Sequence, residues 1–142
     1  MALVGDWIEY QSYQSENETE FIEITYPDDI PKDSPDFNKA GSTERIEVPK
    51  TIIKEIVHPN SYVIIHSVNS WKSFEEGKTT NRFNACYRVY QSKQHRDTDY
   101  NNFIYEHHLL SMDMNFDSNK NETQQAYDCL LNENGFENLK KD

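Results

Sequence analysis

The residues best suited to chemistry in this chain are Cys86, His66, His95, Asp97, Asp99, the pair His107-His108 and the acidic run that begins at Asp113. Cys86 could serve as a nucleophile with His66, on a neighbouring strand, as its base. That pair lacks a third residue to orient the imidazole, and a cysteine inside a strand reads as an inert core thiol. In an extended segment His95, Asp97 and Asp99 share one side, which could clasp a divalent ion. Adjacent histidines on a strand face opposite ways, so His107 and His108 do not complete such a site, and a polar loop is the preferred reading. Residues 113–119 place oxygen ligands at alternate positions, as the first half of a calcium loop does. The sixth position is Ser118 where that loop needs Gly, and the twelfth is Gln124 where it needs Glu.

Other catalytic arrangements are missing from the sequence. It has no Gly-x-Ser-x-Gly elbow, no Gly-rich phosphate cradle and no HExxH helix, and only four Gly in all. Cys86 and Cys129 have no CxxC neighbour, so a metal knuckle or redox motif is excluded and two reduced thiols are expected. The reading is therefore of a non-enzymatic chain with no catalytic residue, no metal and no cofactor.

The elements that must position these residues are strands. Residues 7–13 and 21–26 alternate in polarity and read as a hairpin whose loop is the polar segment 14–20. Residues 28–44 are Pro-rich and acidic, apolar only at Ile30 and Phe37, and read as an extended arm. Strand character resumes at 45–48 and 51–57, with Pro49 and Pro59 confined to strand ends or an edge. Residues 62–68 are apolar on both faces. A turn at Glu76-Gly77 joins them, through 71–74, to the strand 82–90, in which Phe83, Ala85, Tyr87 and Val89 face one way. Residues 100–114 fit both helical spacing and alternation; Asn101-Asn102 favour strand. Asn121 can cap a helix over 121–135, with Tyr127, Leu130 and Leu131 on one stripe and Gly135 as its C′ stop. These elements predict a single mainly β domain over 1–142: an antiparallel β-sandwich or curved sheet of six to seven strands, a long polar arm and one C-terminal helix.

Composition sets the partners. Leu, Ile, Val and Phe make up about 21% of the chain against a net charge of −11, a lean core for a folded domain. Nine Tyr and two Trp restore much of the missing apolar area. A membrane protein, a two-domain enzyme and a coiled coil are excluded. Residues 1–47 carry 12 acids and 3 bases, residues 77–96 carry five bases and no acid, and residues 97–142 carry 10 acids and 3 bases. An acidic field opposes nucleic acid and anionic membrane, so the expected partner is a protein. The basic stretch is expected to pair with acidic neighbours across strands more than to hold an anion. No secretory signal is read at residues 1–5, so the acceptor-like triplets at Asn17 and Asn121 are discarded and a cytoplasmic or virion location is expected.

Gly5-Asp6-Trp7 opens the first strand, and a Gly-x-Trp there resembles the lipocalins and related ligand-binding barrels, where the Trp plugs the closed end. That resemblance implies an eight-stranded barrel for a small molecule. An acidic, Asn- and Tyr-rich β domain also resembles, in general character, the small virion proteins of tailed phages (neck, tail or baseplate adaptors). The preferred expectation is a structural or adaptor subunit in an oligomeric assembly. Its partner-binding residues would be Ile30 and Phe37 on the arm with Tyr10, Tyr13, Tyr90, Arg82, Arg88 and Trp71 on the strands. The alternatives are an acidic inhibitor or immunity protein for a basic enzyme, and the lipocalin-like barrel.

Overall fold

The computed structural model describes the backbone of residues 1–142 and every side chain except that of residue 75. The chain is mainly β. Five strands form one antiparallel-paired sheet in the order β4-β3-β2-β1-β5: β1 Leu3–Thr25, β2 Thr43–Glu75, β3 Lys78–Tyr90, β4 Tyr105–Asp113 and β5 Leu139–Lys141. Two helices, α1 Lys93–Thr98 and α2 Glu122–Leu130, follow β3 and β4. Among the described residues no helix is long and apolar enough to cross a membrane.

Five strands stand where six to seven were expected, because β1 and β2 run unbroken through segments the sequence breaks up. The polar stretch 14–20 is strand, not a hairpin loop: Gln14 donates to the Thr51 hydroxyl, Thr19 to Glu47, and Lys50 lies 3.8 Å from Glu18. Polar cross-strand pairs sustain a ladder without any apolar alternation. Pro49 and Pro59 sit inside β2, yet both precede Tyr62, where β3 joins, so the missing N–H costs no bond to β3. The backbone divides into two compact units, Met1–Tyr10 with Glu55–Asp142, and Gln11–Lys54.

The first unit holds the core. In β3 the side chains of Phe83, Ala85, Tyr87 and Val89 are buried together with Leu3, Trp7, Val63, Leu109, Ala126, Tyr127, Leu130 and Phe136. A smaller cluster of Ala2, Tyr62, Ile64 and Tyr90 is also buried. The register pairs Val63 with Val89 and Tyr62 with Tyr90, then shifts between Ile65 and Ser67. That shift coincides with a substitute partner for the Ile65 amide, which donates to the Tyr127 hydroxyl at 2.9 Å. Tyr127 in turn donates to the Met1 carbonyl at 2.8 Å.

Local chemistry explains the ends. Glu76 and Gly77 both adopt positive φ in the β2–β3 turn, which suits the right-handed twist of a tight hairpin. Asn121 and Gln124 form a reciprocal capping box at the start of α2. The helix ends at Leu130, short of the expected 135; turns follow it, and Gly135 takes φ +93° a few residues beyond the cap. Its role is one of close approach, since a Cβ there would lie 2.2 Å from the Ile8 carbonyl oxygen, and Ile8 N–H donates to the Gly135 carbonyl. Residues 100–114 resolve as turns and then strand β4. The segment 95–99, read as extended, falls largely in the short helix α1, whose start is capped by the Ser92 hydroxyl.

The second unit is a two-stranded ribbon of β1 and β2 closed by the loop 26–42. The loop is not the extended arm expected over 28–44. Its backbone turns on itself through Ser34 to Pro31, Phe37 to Ser34, Lys39 to Asp36 and Gly41 to Pro27 bonds, and Tyr26 N–H meets Ser42 O.

Gly135→Ala is expected to lower stability in urea by clearly more than Gly77→Ala. Gly77 has open space around a Cβ and should cost only about 1–2 kcal/mol for its left-handed backbone. Equal midpoints for the two variants would refute the close-approach role of Gly135.

Candidate protein interface

Strand alternation sets the two faces of the ribbon. Thr19 bonds Glu47 and the Arg45 guanidinium lies 4.2 Å over the Phe21 ring, so over residues 18–26 and 44–50 the odd-numbered side chains share one face; the parity does not extend to the Gln14–Thr51 pair. Lys50 approaches Glu18, and Tyr26 donates to Glu44 at 2.7 Å, so the even-numbered side chains share the other. That second face carries Ile22, Ile24, Ile46 and Val48. Ile22 is 41% exposed and Ile24 36%, while Ile46 and Val48 are half-buried. Phe21 on the opposite face is 57% exposed, and Ile53, further along β2, is 67% exposed. A two-stranded ribbon has no interior, so these groups keep water contact that a covering surface would remove.

At the loop end Lys39 lies 3.6 Å from Glu44 and 5.3 Å from the Tyr26 ring centroid. The Tyr26 hydroxyl and then the Lys39 ammonium hold the Glu44 carboxyl below the usual carboxylate range. Ile30 is half-buried in this loop and Phe37 is 40% exposed on a one-turn 3-10 segment, Phe37–Lys39. Tyr13, on β1, is also exposed.

The remaining expected contact residues belong to the first unit. Tyr90 is an interior residue and not a surface one: it is fully buried and donates to the Tyr100 carbonyl. Tyr10 and Trp71 are half-buried. Arg82 bonds Asp113 at 2.7 Å. Arg88 bonds Glu106 and stacks over Phe103 and Tyr100 at 4.6 and 5.0 Å. Lys93 and Arg96 both approach Asp97. Four of the five bases in 77–96 thus have carboxylate partners within the fold. The Arg88 bond holds the Glu106 carboxyl below its ordinary range.

The other candidates are dispersed. Cys86 is buried, burial pushes its thiol up, and it pairs in register with Ser67, while His66 Nδ1 meets the Tyr100 hydroxyl at 2.7 Å. A raised thiol carries less of the thiolate that nucleophilic attack requires. In α1, Asp97 is engaged by Arg96 and Lys93, and His95 Nδ1 meets Ser92. Asp113 is taken by Arg82, and Gln125 ties the 115–120 loop through Asn115 and Lys120. Among the described residues no group of three or more His, Cys, Asp or Glu gathers as a metal site. An eight-stranded closed barrel is not formed; β4 and β5 stand at the two ends of the strand order.

Two groupings escape the sequence reading. One is the Ile22, Ile24, Ile46, Val48 stripe, whose signal is the alternation in both strands together. The other is the aromatic set around Trp7, which joins four distant segments. Comparison with protein-family models, with curated proteins and with solved structures finds no match to this chain.

Because the folded Glu106 carboxyl is lowered, its bond to Arg88 adds stability above the ordinary glutamate range and loses it as pH falls through the lowered value. Wild type and Glu106→Gln should therefore differ in urea midpoint at pH 7 and converge in strong acid. A difference that grows on acidification would contradict the pairing.

Proposed function

We propose that this chain is a non-enzymatic structural or adaptor subunit that docks onto a larger protein assembly through the ribbon Gln11–Lys54. The observation that carries the reading is the apolar stripe of Ile22 and Ile24, both exposed, with the half-buried Ile46 and Val48, on a two-stranded element without a core. A covering partner removes that surface from water at roughly 25 cal/mol per Å², and ordinary solvated strands do not need such a stripe. The flanking charges, among them the Glu44, Lys39 and Asp36 group at the loop, form the polar rim usual at interfaces. A tailed-phage virion (neck, tail or baseplate) is a setting consistent with this acidic, Tyr-rich β chain, with residence in the cytoplasm before assembly.

A second reading, an acidic inhibitor of a basic enzyme, is favoured by the internal pairing of the basic stretch, which leaves the acidic excess uncompensated. The two part by salt: an inhibitor loses affinity steeply as ionic strength rises, whereas a ribbon held by apolar contact does not.

Light scattering on the natively assembled protein should give a mass well above the 16.8 kDa of one chain. The double variant Ile24→Lys/Ile46→Lys should return it to monomer with its circular dichroism unchanged. Assembly that survives this change on a folded chain would sink the docking role of the stripe.

A further inference from the structure

We propose that β4 is a self-complementary sheet edge, where two copies of this chain pair antiparallel about a two-fold axis through His107. β4 ends the strand order, with β3 as its one strand neighbour among the described residues. Its outer edge therefore turns alternate backbone N–H and C=O groups outward, where a further strand can meet them. Glu106, His107, His108 and Leu110 are exposed along it, Leu110 at 65%. The ribbon takes no part in this contact.

The two ends of the sheet are built differently. β5 is three residues long, two of them lysines, and Lys141 bonds Asp128. Short length and lysine are usual means of blunting an edge. β4 is nine residues long and has neither lysine nor arginine. Its register against β3 is regular from the Val89 and Tyr105 pair to the Ala85 and Leu109 pair. It then shifts near Ser111, which takes φ +52° and donates its N–H to the Asn84 side chain. The regular edge is thus 105–109, with His107 at its midpoint. The His107 ring meets the adjacent His108 carbonyl at 3.1 Å, a local substitute for a cross-strand donor.

Symmetry and charge choose the register. A two-fold axis normal to the sheet sets residues of the same face opposite one another, so it passes through a residue and not between two. Through Glu106 it would set that carboxylate against its own copy, and through His108 it would set Glu106 against Leu110. Through His107 it sets Glu106 against His108 of the second copy, and does so twice. An imidazole N–H opposite a carboxylate is favourable in either protonation state of the histidine, whereas like charges directly opposite are unfavourable. The same register brings the exposed Leu110 opposite Ile104 of the second copy, itself 42% exposed and one residue ahead of β4. Pairing over 105–109 is of transient size, so this edge joins copies that are concentrated or already held close, and dilute chains stay apart through it.

The test uses the full chain, both wild type and Ile24→Lys/Ile46→Lys, so that ribbon docking and edge pairing are read apart. In both, the amide resonances of 105–110 should shift saturably between about 10 µM and about 1 mM, and sedimentation should approach the mass of a dimer and go no further in the ribbon variant. His108→Glu, which faces Glu106 of the second copy, should weaken the pairing about two- to thirtyfold, whereas His108→Lys at the same exposed position should keep or strengthen it. In an oxidising glutathione buffer His107→Cys should form a disulfide-linked dimer much faster than His108→Cys, because only position 107 lies opposite itself. Absence of a concentration-dependent shift at 105–110, its loss in the ribbon variant, equal effects of Glu and Lys at 108, or a faster link from His108→Cys would overturn the proposal.

Discussion

The Tyr127 hydroxyl donates to the Met1 carbonyl and accepts the Ile65 amide, and much of the first unit depends on that pair of bonds. Ile65 lies where the β2–β3 register shifts, so its part-buried N–H would otherwise lack this partner, at a cost of up to about 1 kcal/mol. By meeting it, Tyr127 ties α2 to β2 and to Met1, just ahead of β1. Leu130 and Ala126 are then buried with Leu3, Val63 and Phe83, and the turns after α2 bring Phe136 to Trp7 and Leu139 into pairing with Gly5. A tyrosine does the work of a leucine and of a cap, which is how a chain so poor in aliphatic residues closes a core.

That economy has a counterpart in the second unit. The ribbon is held by strand pairing, by polar pairs such as Thr19 with Glu47 and Lys50 with Glu18, and by the cation over Phe21. Exposed pairs of this kind contribute only tenths of a kcal/mol each. Two-stranded ribbons are marginal on their own in water, so a surface that covers Ile22, Ile24, Ile46 and Val48 would stabilise the folded form through its affinity for it. On the docking proposal, marginal ribbon stability and a partly exposed apolar stripe would both follow from the absence of a covering layer.

What the sequence revealed follows the same division. The β2–β3 hairpin was legible because Gly77 marks a positive φ and Phe83, Ala85, Tyr87 and Val89 alternate; the α2 start was legible because Asn121 is a capping residue, while the reciprocal bond from Gln124 came only with the structure. The strand through 14–20 was not, because its ladder rests on partners 28 to 37 residues away and its side chains are polar on both faces. The six-residue α1 depends on one serine cap, a weak signal beside the surrounding strands. Of the expected contact residues, Tyr90 was misplaced because a tyrosine beside polar neighbours reads as half-exposed until the Tyr100 carbonyl is seen to accept its hydroxyl inside the fold. The aromatic cluster around Trp7 stayed hidden because its rings come from positions 7, 87, 105 and 136, which no local pattern connects.

Amide hydrogen exchange, measured on the chain alone and again in its native assembly, tests the central claim most directly. The account predicts fast exchange across 11–25 and 43–54 in the isolated chain, slow exchange at 63–65 and 85–90, and marked protection of the ribbon amides once assembled. Ribbon amides as slow as those of the core in the isolated chain, or ribbon amides left unprotected in the assembly, would contradict it.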